Sequence, residues 1–141
     1  MRIAVASDHA GFEMKQSLAE YLAELGHEVV DLGTNGPDSV DYPDFGKALG
    51  EAIADGSVER GLAVCGTGIG ISIAVNRIPG ARAALCTDGL MAKLTRLHNN
   101  ANVLALGARL IGIETAKDCI DQFLNTEYEG GRHDRRVEKL G

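Results

Sequence analysis

The stretch GLAVCGTGIG, Gly61–Gly70, decides the fold. Its first five residues are a short, continuously apolar run, the pattern of a strand buried on both faces. Glycines 66, 68 and 70 then break the run, and an apolar helical segment follows through about Asn76. A strand that turns tightly into a helix is half of a parallel βαβ unit. The same alternation recurs along the chain. RIAVAS (2–7), HEVVDLG (27–33), ARAALC (81–86) and NVLALG (102–107) read as four more strands. Between them run helical periods: Met14, Leu18, Tyr21, Leu22 and Leu25, closed by Gly26; Phe45, Leu49, Ala52 and Ile53, opened by Pro43; Leu90, Leu94 and Leu97, running into HNN (98–100); and Ala116, Cys119, Ile120, Phe123 and Leu124. RHDRRVEKL (132–140) predicts one more short helix. Five strand–helix units in series predict an α/β fold: a three-layer α/β/α sandwich on a five-stranded parallel sheet, Rossmann-like, in a single domain spanning 1–141.

Composition narrows the function. The chain is 45% hydrophobic and 24% charged, enough to build a core without metals or disulfides. A net charge of −6, no tryptophan and 4% aromatics argue against a nucleic-acid partner. Residues 130–141 run against the rest: four Arg/Lys and two Asp/Glu leave +2 there and −8 on the body. A basic end on an acidic body reads as a small anionic ligand, a contact with another subunit, or a solvated tail. Cys65, Cys86 and Cys119 are far apart with no CxxC pair, so neither a disulfide framework nor a zinc site is expected. No stretch has the length of a membrane span, and the expected setting is a reducing cytoplasm.

In such a sheet, ligands bind beyond the carboxyl ends of the strands. That rim gathers SDHAG (7–11), CGTGIG (65–70), CTDG (86–89) and LGAR (106–109); HNN precedes the fifth strand, and its place on the rim is open. Cys65 sits where a strand ends and a helix begins, where unpaired amides and the helix dipole favour a thiolate. Gly66, Gly68 and Gly70 let backbone N–H groups converge on one oxygen, as a phosphate or a developing oxyanion requires. The competing reading is a buried structural cysteine before a turn that needs glycine. Three phosphate motifs are excluded: no Gly-Lys-Ser/Thr closes a Walker loop, the glycine spacing is not GxGxxG, and position 71, where a C-x5-R phosphatase carries arginine, is Ile71. Asp8 and His9 suit sugar hydroxyls and phosphate or proton transfer, with Asp8 equally suited to capping the first helix. His98, taken alone, reads as a helix-end histidine. His27 reads as structural, and Cys86 and Cys119 as core.

SDHAGFEMK, DYPDF, CGTGIGISIAVNRIPGARAALC, RLHNNANVLALGAR and YEGGRHDRRVE, in this order over almost the whole chain, resemble the ribose-5-phosphate isomerase B family, which includes the galactose-6-phosphate isomerase subunits. The resemblance implies interconversion of D-ribose 5-phosphate and D-ribulose 5-phosphate through an enediolate, with no metal and no cofactor. It implies Cys65 as the base, Thr67 as a hydroxyl-proton relay and His98 as the group that opens the furanose ring. The amides of Gly66, Thr67, Gly68, Ile69 and Gly70, with Asn99, would hold the enediolate oxygen. Asp8 would bind sugar hydroxyls and Tyr42 would line the pocket. His9, Arg109, Arg132 and Arg136 would grip the phosphate. Some relatives use a glutamate after the loop as base; the matching residue is Ile71, so the chain resembles the cysteine type. The tail, about 127–141, would reach into the partner's pocket, giving a homodimer, or a tetramer of paired dimers, with shared sites. The alternatives are an isomerase of allose 6-phosphate or galactose 6-phosphate, a non-catalytic phosphosugar- or nucleotide-binding module, and a thiol redox protein, the last weakened by the missing CxxC.

Overall fold

The computed structural model describes all residues, 1–141. The elements are β1 (Arg2–Ser7), α1 (Phe12–Glu24), β2 (Glu28–Asp31), α2 (Tyr42–Ala54), β3 (Arg60–Cys65), α3 (Ile69–Asn76), β4 (Ala83–Leu85), α4 (Gly89–Asn99), β5 (Val103–Gly107) and α5 (Ile113–Asn125). A 3-10 turn, Gly131–His133, then runs into α6 (Asp134–Glu138). The five strands form one parallel sheet in the order β2-β1-β3-β5-β4. The chain leaves β1 toward β2 and returns on its other side as β3, so the topological switch lies between β1 and β3. No helix is long and apolar enough to cross a membrane.

Alternation along the strands sorts large from small side chains. Ile3, Val5, Leu62, Val64, Leu104 and Leu106 meet α1, α4 and α5 in one core. Ala4, Ala6, Ala63, Cys65 and Ala105 meet α2 and α3 in the other. Small side chains let that second helix layer sit close. Gly46 and Gly50 bring α2 against α3: a Cβ at Gly46 would lie 2.6 Å from the Ala74 Cβ, and one at Gly50 2.7 Å from Ile78. Cys65 therefore faces the tightly packed layer, beneath the α2–α3 pair.

Four details depart from the sequence pattern. β4 is only three residues long, because Arg82 leaves the ladder: its N–H goes to the Asn102 side chain. Asn76 finishes that edge, its amide bonding both the N–H and the C=O of Ala83 as a sixth strand would. Leu90 and Leu94, which mark the period of α4, face outward; Gly89, Ala92, Thr95 and Arg96 are its buried residues. Lys15 is fully buried in α1, where its Nζ meets Asp31 Oδ1 at 2.6 Å and the Thr34 carbonyl at 2.7 Å. This contact pins the chain leaving β2 against α1, upstream of Tyr42.

Candidate active site

β1, β3 and β5 end side by side, and their following turns enclose an open cavity of about 420 Å³, the size of a small-molecule site. Asp8, Tyr42, Cys65, Thr67 and Arg109 reach it, with Gly66, Ile69, Gly70 and Ile73 completing the wall. Three of the four expected rim segments thus meet. The fourth, CTDG, does not: Asp88 caps α4 by accepting the Met91 N–H at 2.8 Å.

Cys65 is 4% exposed, and its Sγ accepts the Gly68 N–H at 3.1 Å. The sulfur thus meets a backbone donor just before the start of α3. Gly68 adopts φ +78°, and a Cβ there would strike Leu85 and the Leu106 backbone, so only glycine closes this loop over β5. Gly66 and Gly70 serve another purpose. A Cβ on Gly66 would lie 3.2 Å from the Arg109 guanidinium, and one on Gly70 would lie 2.6 Å from the Tyr42 ring. The space vacated by these glycines holds two of the side chains expected to bind substrate.

The amides of the loop divide in two. Gly68 N–H is engaged by Cys65 Sγ, and Ile69 N–H by Thr67 Oγ1 at 3.2 Å. The N–H groups of Gly66, Thr67 and Gly70 have no protein acceptor and remain free to meet an oxygen. Sequence reasoning assigned all five amides equally, because glycine content does not show which N–H is already bonded.

Asp8 does not cap α1: the N-cap is Gly11, with no side-chain cap bond. The Asp8 Oδ1 accepts the Gly11 N–H at 3.1 Å, holding the turn into α1, while the carboxylate borders the cavity. His9 accepts the Val40 N–H on Nδ1 at 3.1 Å, which leaves Nε2–H as its donor. Arg109 is exposed and forms no ion pair; its backbone N–H ties it to Gly66 O at 2.9 Å. Ile71, at the position of the alternative glutamate base, is fully buried in the core.

His98, Asn99, Arg132 and Arg136 do not join this cavity. α4 starts at the carboxyl end of β4 and runs back to the start of β5, so its last residues lie at the opposite rim. Cys65 pairs in register with Gly107, and Gly61 with Val103, so about 13 Å of sheet separates the two levels. The tail docks at that far rim. Glu129 N–H bonds Leu97 O at 3.2 Å, Arg96 Nε reaches Thr126 O, and the His133 ring stacks on His98 with centroids 4.7 Å apart. Arg132 and Arg136 are exposed beside it, one helical turn apart. Asn99 borders a second cavity of about 360 Å³ with Asn76, Arg82, Thr95 and Leu140, against the β4 edge. The motif residues thus form two groups on opposite rims of one chain. Sequence reasoning passed over His133 and Glu129, which flank His98; their four-residue spacing was the available signal.

Comparison with known proteins identifies the family and the fold. The family model described as Ribose/Galactose Isomerase matches residues 3–140. The chain is 45% identical over 139 residues to ribose-5-phosphate isomerase B of Escherichia coli, covering 99% of this chain and 93% of that protein. It is 43% identical over 143 residues to D-erythrulose-4-phosphate isomerase of Pectobacterium atrosepticum, covering 100% and 93%. The solved structure of Clostridium thermocellum ribose-5-phosphate isomerase B superposes with a TM-score of 0.99 at 51% identity, over 100% of this chain and 95% of that one. With a family match over nearly every residue and the same fold throughout, the chain belongs to the ribose/galactose isomerase family and is a sugar phosphate isomerase.

Proposed function

We propose that the chain interconverts D-ribose 5-phosphate and D-ribulose 5-phosphate through an enediolate, with Cys65 as the base. The observation that carries this reading is the Cys65 sulfur in the cavity wall, bonded by Gly68 N–H and followed by the three free amides of Gly66, Thr67 and Gly70. Cys65 takes the proton from C2 of the open-chain aldose, and the electron pair moves through C1 onto the carbonyl oxygen. The free amides stabilise that oxygen, each donor contributing about 3 kcal/mol in the transition state. Thr67 Oγ1 relays a hydroxyl proton between the two oxygens, and the thiol returns its proton to C1. Asp8 orients the sugar hydroxyls, Tyr42 walls the pocket, and His9 and Arg109 meet the phosphate.

His98, Asn99, Arg132 and Arg136 act on the substrate of a second copy. His98 opens the furanose ring, Asn99 contributes to the enediolate site, and the two arginines close on the phosphate. The separation of the two rims supports this arrangement, because no rotamer spans it within one chain. The apolar side chains left in water point the same way. Ile69 and Ile73 beside the cavity are 50% and 58% exposed, and Leu90 on α4 is 64% exposed. A two-fold dimer that sets one rim against the other forms two equivalent sites. The three free cysteines suit a reducing cytoplasm.

A relative named for a four-carbon substrate at 43% identity favours a second reading, in which the same chemistry serves another sugar phosphate. The test is kcat/KM across ribose 5-phosphate, allose 6-phosphate, galactose 6-phosphate and erythrose 4-phosphate, with EDTA present, in deuterated water. Ribose 5-phosphate should lead the panel, and deuterium should enter at the transferred carbon. Preference for another sugar would move the substrate assignment. Complete retention of the C2 hydrogen at C1 would point to direct hydride transfer and contradict the enediolate.

A further inference from the structure

At the far rim, three donor side chains converge. His98 ends α4, Glu129 follows α5 with its N–H on Leu97 O, and His133 lies in the 3-10 turn. One ligand atom from each lies within 4.8 Å of the others. The Nε2 atoms of both imidazoles are 3.9 Å from the same Glu129 Oε2. His133 is 6% exposed, and its Nε2 is buried with no hydrogen-bond partner. Leaving such a nitrogen unsatisfied is unfavourable, and it faces the one carboxylate of the cluster.

We propose that His98, Glu129 and His133 bind a divalent transition-metal ion of the zinc class, and that the bound ion inhibits the enzyme by occupying His98. Two imidazoles and one carboxylate are a zinc donor set that leaves a fourth position for water. Calcium and magnesium require more oxygen ligands than this cluster supplies. Tetrahedral bonds of about 2.0–2.1 Å separate ligand atoms by about 3.3 Å, so each Nε2–Oε2 gap must close by roughly 0.6 Å. The three ligand atoms spread over as much as 4.8 Å and the two imidazoles stack at 21°, so the part-exposed His98 ring and the half-exposed Glu129 side chain both turn toward the ion when it binds, while the buried His133 stays in place. The ion satisfies the buried His133 nitrogen and captures the His98 Nε2. The inhibition rests on the ring-opening role proposed for His98; the binding does not.

The experiment titrates zinc by calorimetry, and cobalt(II) by its visible spectrum, into the full-length Cys65→Ser chain, which removes the cavity-wall thiol as a competing ligand. One ion per chain is expected, with ligand-field bands and no thiolate charge-transfer band. Adding Glu129→Gln or His133→Asn should weaken binding about tenfold or more. Glu129→Gln alters only a half-exposed side chain and carries the test if His133→Asn does not fold. Absence of saturable binding, or binding unchanged by Glu129→Gln, overturns the site. In the otherwise unaltered chain, zinc should slow ribose 5-phosphate turnover and EDTA should restore it. Measured against its own metal-free rate, Glu129→Gln should need about tenfold more zinc for the same inhibition. Binding through these residues without inhibition would overturn the switch and the ring-opening role of His98 together, leaving Cys65 as base untouched.

Discussion

The two rims of the sheet are built from different materials. Beyond the carboxyl ends of β1, β3 and β5, the backbone supplies three free amides and the N–H that holds the Cys65 thiol, and glycines make room for the Tyr42 and Arg109 side chains. At the amino ends of the same sheet, long side chains from α4 and the tail supply imidazoles, an amide and guanidinium groups. The first rim is rigid because strand register fixes it, which suits proton transfer and oxyanion binding. The second rests on a docked tail, which suits substrate capture and ring opening. Neither rim gathers all the expected site residues, and on the proposed reading that is why a single chain is half of two sites.

Changes at the rigid rim should have the larger effects. The widest contrast is in thiol reactivity. Burial pushes Cys86 up to about 12 and Cys119 up to about 11, so both are essentially thiols at pH 8. Iodoacetamide should label Cys65 first, with protection by substrate, as peptide mass mapping would read. Label appearing first on Cys86 or Cys119 would break the contrast between a reactive and a structural cysteine. Cys65→Ser should lower kcat by about 10³-fold, within the range of general-base removal, with thermal melting near that of the parent chain. Gly70→Val places a branched Cβ where the Tyr42 ring lies, and should lower kcat/KM by about 10²-fold through that displaced wall. A folded Gly70→Val protein with parental kcat/KM would reduce the loop to a turn.

At the docked rim, Arg136→Ala should mainly raise KM, by roughly ten- to a hundredfold, since a charge-assisted bond to phosphate contributes about 1.5–3 kcal/mol. A loss confined to kcat would contradict phosphate binding by the tail.

Most of the fold was legible because hydrophobic period is a local signal: all five strands and the helices between them fall where the apolar spacing puts them. What the sequence hid was non-local. Lys15 looks like a solvated helix residue until Asp31 and the Thr34 carbonyl arrive from the end of β2. Leu90 looks like core because period alone cannot tell a buried apolar face from an exposed one. β5 inserts between β3 and β4, an order that no spacing encodes. For the candidate site, Asp8, Cys65, Thr67 and Arg109 could be assigned to one rim by counting strand ends. The separation of His98 and the arginines followed only from tracing α4 and α5 back across the sheet.

On the proposed reading, one site joins the carboxyl-end rim of one chain to the amino-end rim of another. A Cys65→Ser chain and an Arg132→Ala/Arg136→Ala chain each damage one rim, and each homodimer should be nearly inactive. After subunit exchange, a heterodimer would hold one site with both defects and one with neither. Random pairing makes half the dimers heterodimers, so activity should recover to as much as roughly a quarter of the parent enzyme. Exchange verified by native mass spectrometry, with no recovery of activity, would contradict the shared site.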